Sequence, residues 1–507
     1  MRSEWDPSKR WLGLLVVSCA MFISAVDATI VNVAIPEISR DLHAAESELQ
    51  WVMDGFLIAL GGFLLVGSGL ADRFGRKRVF LLGFAGFALT SVLAAISATA
   101  QELVVARVLM GLAATCVLPP ALALLAVMFE PGERLRAVGV WSAVAGLGLA
   151  LGPVFGGVLV DAVGWSAVFL VNVPFVVLAV PAGVVLLPES RRPGVPPLDL
   201  GGVALSVLAL TGIAFALIEG ADNGLASPPV IAAAVVGLVA AVVFVRVELR
   251  AERPLFDVRV LARRRVASGA IGIFCAYGAF FAVLFLVPQF LVYVQDRSPL
   301  ATGALLFPTG LGLAAVSPIT RRLVARVGDR RLIPAGLVGM ALACAIFAIL
   351  SRHSSPVIVC AGMLLLGASL GLCIGPATAV IMNDLGVDQA GEAAATNQLA
   401  RQVGAAMGIA VVGSVFAAIY AARVNDRVHS VNGSALEAVR DSIEGAVRVG
   451  ATLSPGARTQ LLLAADASFE TAARIGFAVC AAALLVAALV NAVGLARPAL
   501  EAAPATT

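Results

Sequence analysis

The chain has 507 residues, of which 60% are hydrophobic and only 13% charged, and its mean hydropathy is +0.98. That composition excludes a soluble globular domain, and a net charge of +3 with arginines scattered among many loops excludes a nucleic-acid binder. The seven cysteines (Cys19, Cys116, Cys275, Cys344, Cys360, Cys373 and Cys480) all fall in apolar stretches without paired spacing, so neither a disulfide frame nor a zinc site is expected.

Lys9 and Arg10 precede an apolar run of about 22 residues, which is a membrane span rather than a cleaved leader because many more follow it. Runs of spanning length are predicted at 11–33, 48–70, 79–99, 103–127, 136–159, 166–187, 200–218, 230–249, 266–292, 300–320, 332–350, 356–383, 399–421 and 469–494. An all-α integral membrane protein of about fourteen helices is therefore expected. An even number of spans leaves both chain ends on one side. Alternate loops carry the positive charge: Arg2, Lys9 and Arg10; Arg73, Arg76, Lys77 and Arg78; Arg134 and Arg136; Arg191 and Arg192; six arginines from Arg250 to Arg265; and five from Arg321 to Arg331. The opposite short loops hold only Arg40, Arg297 and Arg352, so both termini are expected in the cytoplasm.

Two loops depart from that pattern. The 384–398 loop should be cytoplasmic but carries Asp384, Asp388 and Glu392 and no Lys or Arg. The 422–468 segment should be external and holds five arginines, which a long translocated loop tolerates. It is expected to form one or two surface amphipathic helices and to act as a connector. A faint internal repeat is also present: Thr320 to Arg331 is a worn copy of the glycine- and arginine-rich 67–78 loop, eight helices later. Six helices, two inserted helices and a second six would give that offset, the duplication typical of alternating-access transporters. The limits drawn are 1–190 for the first bundle, 191–262 for the insertion and 263–507 for the second bundle.

Within the spans, ionisable residues are costly, roughly 2.5–3.5 kcal/mol each on insertion scales, and so point to function. Asp27 in helix 1, Asp54 in helix 2 and Arg107 in helix 4 are predicted at one level in the outer half of the first bundle. Two carboxylates sharing one guanidinium would leave one acid short of counter-charge and able to exchange a proton. The plainer alternatives are an interfacial Asp54, a structural hydrogen bond at Asp27 and a structural Arg107. Helix 5 carries Gly148, Gly152, Pro153, Gly156 and Gly157; glycines at i, i+4 and i+8 make a bare stripe for close helix approach, and the proline invites a bend. Tyr277, Gln289 and Gln295 interrupt an apolar helix 9, either as interhelical hydrogen bonds or as a lining of the substrate pathway. With 24 Phe, 3 Tyr and 5 Trp, any pocket should be broad, oily and weakly directional.

Several of these strings resemble the major facilitator superfamily. The stretch Gly67–Gly83, GSGLADRFGRKRVFLLG, is similar to that family's loop between helices 2 and 3, matching at Asp72, Arg73, Gly75, Arg76 and Lys77, with Ser68 at the first glycine position. The helix 5 string, G-x-x-x-G-P-x-x-G-G, resembles the motif of the exporting antiporters at every position. Asp27-x-Thr29-Ile-Val-Asn32-Val-Ala-x-Pro36 looks like helix 1 of the fourteen-helix drug:proton antiporters. Arg107-x-x-x-Gly111 is similar to the helix 4 motif proposed for proton coupling, with Met110 in place of a polar residue. Trp51-Val-x-Asp54 looks like helix 2 of the branch that exports cationic antiseptics and antibiotics, and Phe169-Leu-Val-Asn172-Val-Pro174 fits as a further piece.

The resemblance implies two pseudo-symmetric halves and export of lipophilic, cationic drugs by proton exchange. Proton coupling would fall to Asp27, Arg107 and Asp54; the substrate pathway would add Asn32, Tyr277, Gln289 and Gln295. A cytoplasmic gate would comprise Asp72, Arg73, Gly75, Arg76, Lys77 and Arg401, with Asp72 reaching the N-terminus of helix 13 around Asn397 to Arg401. No metal or cofactor is expected, and the partners are the small substrate, protons and lipid, with the protein a monomer in the cytoplasmic membrane. A nutrient symporter of the same fold is the alternative. A membrane enzyme is disfavoured because His43, His353 and His429 lie in loops far apart, and an ATP-driven pump because no phosphate-cradling Gly-Lys-Ser/Thr loop occurs.

Overall fold

A computed structural model describes residues 9–191, 199–224, 226–251, 257–385, 389–428 and 431–495. Arg2, Arg192, Arg253, Asp388 and His429 lie outside the described residues. Nineteen α-helices follow one another among them: α1 (Arg10–Leu42), α2 (Glu46–Phe74), α3 (Arg76–Ala95), α4 (Ala100–Thr115), α5 (Leu118–Met128), α6 (Pro131–Ala162), α7 (Ala167–Leu170), α8 (Asn172–Leu186), α9 (Leu200–Asn223), α10 (Pro228–Arg250), α11 (Arg264–Gln289), α12 (Pro299–Leu306), α13 (Pro308–Val327), α14 (Asp329–Ala348), α15 (Pro356–Leu385), α16 (Ala390–Arg427), α17 (Ser434–Asp441), α18 (Ile443–Ala451) and α19 (Pro455–Gly494). Twelve helices are long and apolar enough to cross a membrane, thirteen when the bent α2 counts as one span, and α6 adds a further apolar helix. The fourteen-helix expectation holds.

Prolines explain two of the spans that break. Pro119 and Pro120 open α5 directly after α4, and Pro308 opens α13 after α12, each placed in the first turn where its missing N–H is not needed. The helix 5 proline does not end its helix, since α6 runs unbroken past Pro153.

Among the first eight helices, α1 packs on α6, α2 on α4, and α3 on α4 and α8. In the second group α11 packs on α16, α13 and α14 on α15, and α16 on α19. The predicted repeat is visible in the backbone: Gly75 between α2 and α3 and Gly328 between α13 and α14 both adopt positive φ, 114° and 82°, which an L side chain resists. The inserted helices differ from both groups: α9 lies against α2 and α16, while α10 packs on α9.

The segment expected to be external is shorter than predicted. Helix α16 continues to Arg427 and α19 begins at Pro455, so only 428–454 lies between them. Two short amphipathic helices occupy that stretch, α17 burying Val439 and α18 burying Ile443 and Ala446. Arg423, Asp426 and Arg427 end the apolar run, yet a helix needs no apolar residues once it leaves the hydrocarbon, and α16 continues through them.

Candidate functional site

The three charged residues of the first bundle are all sealed: Asp27 and Asp54 are 0% exposed and Arg107 is 1% exposed. Arg107 donates from its terminal nitrogen to Asp27 Oδ2 at 2.8 Å and from Nε to the Val52 carbonyl at 3.1 Å. Phe56 lies over the guanidinium at 4.4 Å and Phe169 at 5.9 Å, so its faces are covered by rings. A hydrogen-bonded and paired charge is the form in which an ion survives burial.

The expected sharing of Arg107 by two acids does not occur. Asp54 has both carboxylate oxygens buried without a hydrogen-bond partner. The cause is helical geometry: residues two apart on a helix point about 200° apart, so the face of α2 that lays Phe56 on Arg107 turns Asp54 away. Gln50 shares Asp54's face at i, i+4, and it packs against Gly413 of α16, where an added Cβ would lie 2.6 Å from the Gln50 amide carbon. Asp54 therefore belongs to the seam between the two groups of helices, and Asp27 to the interior of the first.

Asn172 completes the Asp27 site. Its Nδ2 donates to Asp27 Oδ1 at 3.3 Å and to Ser91 Oγ at 3.1 Å. An intramembrane Asn at a helix break is the signal that would have found it; Ser91 has none, because a single serine in an apolar span is common. Asn32 does not join the group, for its Nδ2 turns back to the Ala28 and Thr29 carbonyls of its own helix at 3.3 and 3.2 Å.

The glycine stripe of α6 meets α1 at close range. A Cβ at 152 would lie 2.0 Å from Thr29 Oγ1, and one at 156 would lie 2.8 Å from the Ile30 carbonyl. Gly148 faces Phe22 and Ala25 on the same helix, whereas Gly157 and Pro153 turn to α12, against Pro299 and Gly303. One string thus serves two contacts, one inside the first bundle and one between bundles.

The polar residues on and just after α11 separate. Tyr277 stacks on Phe281 with ring centroids 6.3 Å apart and lies under the Arg401 guanidinium at 4.7 Å. Gln289 donates to Glu46 Oε1 at 3.2 Å and so ties α11 to α2 across the bundles. Gln295 donates to the Ser351 and Ser354 carbonyls at 3.1 Å, which ties it to a turn of the second bundle. Tyr293 adds another tie that sequence reading missed, donating to the Pro36 carbonyl at 2.6 Å.

These ties all lie at the end away from the basic loops. At the basic end the charges pair within their own bundle. Asp72 binds Arg76 at 2.8 Å, Glu189 lies 3.6 Å from Arg78 and accepts from the Lys77 backbone, and Lys77 Nζ donates to the Val184 carbonyl. Arg73 lies over its neighbour Phe74. Asp384 lies 3.7 Å from Arg265, and Arg263 donates to the Asp384 carbonyl and to Gln389. The Asp384 carboxylate is thereby offset by an arginine of its own half. The expected reach of Asp72 to a helix start near Asn397 is not found, because α16 already begins at Ala390 and the amides at Arg401 are spent inside the helix. Among the described residues the Gln289–Glu46 and Tyr293–Pro36 hydrogen bonds join the bundles at one end, and the ion pairs at the basic end fall within a bundle.

A sequence profile of the Major Facilitator Superfamily matches residues 17–409. The chain is 36% identical to the puromycin resistance protein pur8 of Streptomyces alboniger over 83% of this chain and 84% of the relative. It is 34% identical to the tetracenomycin C resistance and export protein of Streptomyces glaucescens (95% and 90% covered) and 31% identical to the multidrug efflux pump LfrA of Mycolicibacterium smegmatis (97% of each). Among solved structures, a bacterial homologue of the lysosomal transporter Spinster, inward-facing and occupied, superposes with a TM-score of 0.64 at 15% identity, covering 96% of this chain and 97% of that one. At that identity the likeness speaks for the fold.

Proposed function

The chain belongs to the major facilitator superfamily, and from that premise we propose that it expels lipophilic, cationic compounds from the cytoplasm in exchange for protons. It is a multi-pass membrane transporter and not an enzyme. The relatives named for puromycin resistance, tetracenomycin C export and multidrug efflux support the export direction, and the α6 glycine–proline string agrees with them.

The observation that carries proton coupling is the contrast between two sealed acids, Asp27 paired with Arg107 and Asp54 without a partner. In the proposed cycle the basic end is cytoplasmic, both termini lie there, and the state described takes up cargo from inside. A proton on Asp54 removes the cost of a lone buried charge in the seam, and its loss favours parting α2 from α16 at the outer end. Asp27 and Arg107 hold a second exchangeable position, in which a proton on Asp27 frees the guanidinium. Cargo favours one facing and protons the other, which is the coupling that an antiporter needs.

When the cytoplasmic end closes, the loop from Asp72 through Arg73, Gly75, Arg76 and Lys77 is proposed to meet the first turns of α16. Residues 1–190, 191–262 and 263–507 are proposed as first bundle, insertion and second bundle, working as a monomer in the cytoplasmic membrane. The test is transport of a lipophilic cation in proteoliposomes under an imposed pH gradient. Cargo movement that collapses with the gradient supports the reading; transport unaffected by a protonophore, or movement of protons and cargo in the same direction, rejects it in favour of a symporter.

A further inference from the structure

Each bundle holds an arginine among its spans, and the two are compensated in different ways. Arg107 of the first is paired with Asp27 and donates to the Val52 carbonyl. Arg401 of α16 has a ring where an acid would stand, its guanidinium lying over Tyr277 at 4.7 Å. Among the described residues no carboxylate pairs with Arg401, and its Nε is buried without a hydrogen-bond partner. Two acids of the same end lie elsewhere: Asp384 is beside Arg265, and Glu392 is about 14 Å back along α16. An arginine keeps its charge across the physiological range, so it cannot be relieved by losing a proton. A cation in that position favours whatever anion is brought to it.

The fold leaves Arg401 partly open. From Gln398 to Val403 α16 is half-buried, and from Gly404 to Ala406 it is buried, so Arg401 stands at the edge of the sealed zone on the side of the basic end. Its seat is fixed, because Gly404 and Gly408 rest on the backbone of Phe274 and Gly278 of α11, where a Cβ would not fit. That contact sets Tyr277, stacked on Phe281, against the charge. Across the seam the register is antiparallel: Gln50 of α2 meets Gly413, and Gly61 meets Gln402. Asp54 is therefore level with Ile409, and Arg401 lies about 12 Å nearer the basic end at 1.5 Å per residue. A negative and a positive group thus stand at two heights near one seam.

Building on the exporter reading above, we propose that Arg401 and Tyr277 form a subsite for an acidic oxygen of the cargo, so that the preferred cargo is amphoteric and not a plain cation. A carboxylate or phenolate on an aromatic frame accepts from the guanidinium, and the frame packs along Tyr277 and Phe281. The cationic group of the same molecule is left toward the Asp54 side of the seam. The physical reason is the sign of the fixed charge. A cargo with positive charge alone is repelled by Arg401, whereas one that brings its own anion supplies the counter-charge that the chain does not. Selection then comes from an attraction and a repulsion at one residue.

The test uses the full chain and two dyes: rhodamine B, which carries a cationic xanthene and a free carboxylate, and its ethyl ester, which keeps the cation and loses the acid. Binding is read by fluorescence polarisation, and the ratio of the two affinities is compared between proteins so that partition into detergent cancels. The native ratio should favour the acid by about ten-fold more than the ratio in Arg401→Gln, the scale of one hydrogen bond to a charged group. Arg401→Lys should restore part of the preference. The same ratio in native protein and Arg401→Gln overturns the subsite. Phenylglyoxal labelling of the native protein, read at the Arg401 peptide by mass spectrometry, gives an answer even if the variants fail to fold. Protection of Arg401 by the acid and not by the ester supports the proposal; no labelling, or equal protection by both dyes, rejects it. Proton-driven export of both dyes without preference would reject the subsite and leave the exporter reading standing. Failure to move either dye against a proton gradient would instead sink that reading itself.

Discussion

The interiors of the two bundles are built from different chemistry. The first encloses an acid, an arginine and an amide in contact, Asp27, Arg107 and Asn172, and sets Asp54 at its edge. The second offers a phenol and a guanidinium in Tyr277 and Arg401, with phenylalanines around them. A carboxylate can gain and lose a proton, whereas an arginine keeps its charge. In the proposed cycle proton exchange falls to the first bundle, and the second presents an apolar surface with a fixed charge. Each of the following substitutions would break that division or sharpen it.

Asp27→Asn has the largest expected effect. Proton-driven efflux in vesicles should fall to background, since the carboxylate paired with Arg107 is removed. Leaving a buried partner unpaired costs about 3–5 kcal/mol, so membrane yield must be measured beside activity. Full efflux by the variant would remove Asp27 from the coupling.

Asp54→Asn comes next. Transport of dications should fall more than that of monocations, and the pH dependence of efflux should flatten, while Arg107 keeps its partner. Folding is expected to be unharmed, because a neutral amide replaces an acid that makes no hydrogen bond. Equal losses for neutral, singly and doubly charged cargo would count against a role in charge selection.

Arg401→Gln probes the second bundle. Its stacking on Tyr277 is of the kind that contributes about 0.5–2 kcal/mol, so KM for a cationic dye should shift by a few-fold. The pH profile should match the native protein's. A profile displaced as far as that of the Asp54 variant would end the division of labour between bundles.

The smallest effect is expected at Glu444 in α18, outside the membrane. Burial pushes its carboxyl above the usual range, with Arg40 and Arg448 pulling the other way. A raised carboxyl pKa means that the docked form holds its proton more tightly than the undocked one. Docking of α18 is therefore favoured as pH falls through the raised value, and that gain is lost as pH rises through it. Hydrogen exchange of the α17–α18 amides should slow on acidification in the native protein and lose that dependence in Glu444→Gln. Identical pH dependence in both proteins would clear Glu444 of the effect.

Much of the architecture was legible because membrane chemistry writes it plainly. A span must be apolar for its whole depth and its backbone bonds must close within the helix, so the fourteen runs, the inserted pair at α9 and α10, and the repeated glycine turns at Gly75 and Gly328 could be read from residue order alone. The costly acids Asp27 and Asp54 and the stripe from Gly148 to Gly157 were visible for the same reason: each is anomalous in hydrocarbon. Partners were not legible. That Arg107 takes Asp27 and leaves Asp54, that Gln289 reaches Glu46 while Gln295 stays in a turn, and that Asp72 binds Arg76 within its own bundle depend on which helix faces are turned together. A rotation of about 100° per residue means that one or two positions in register decide each pairing, and only the packing of whole helices sets that register.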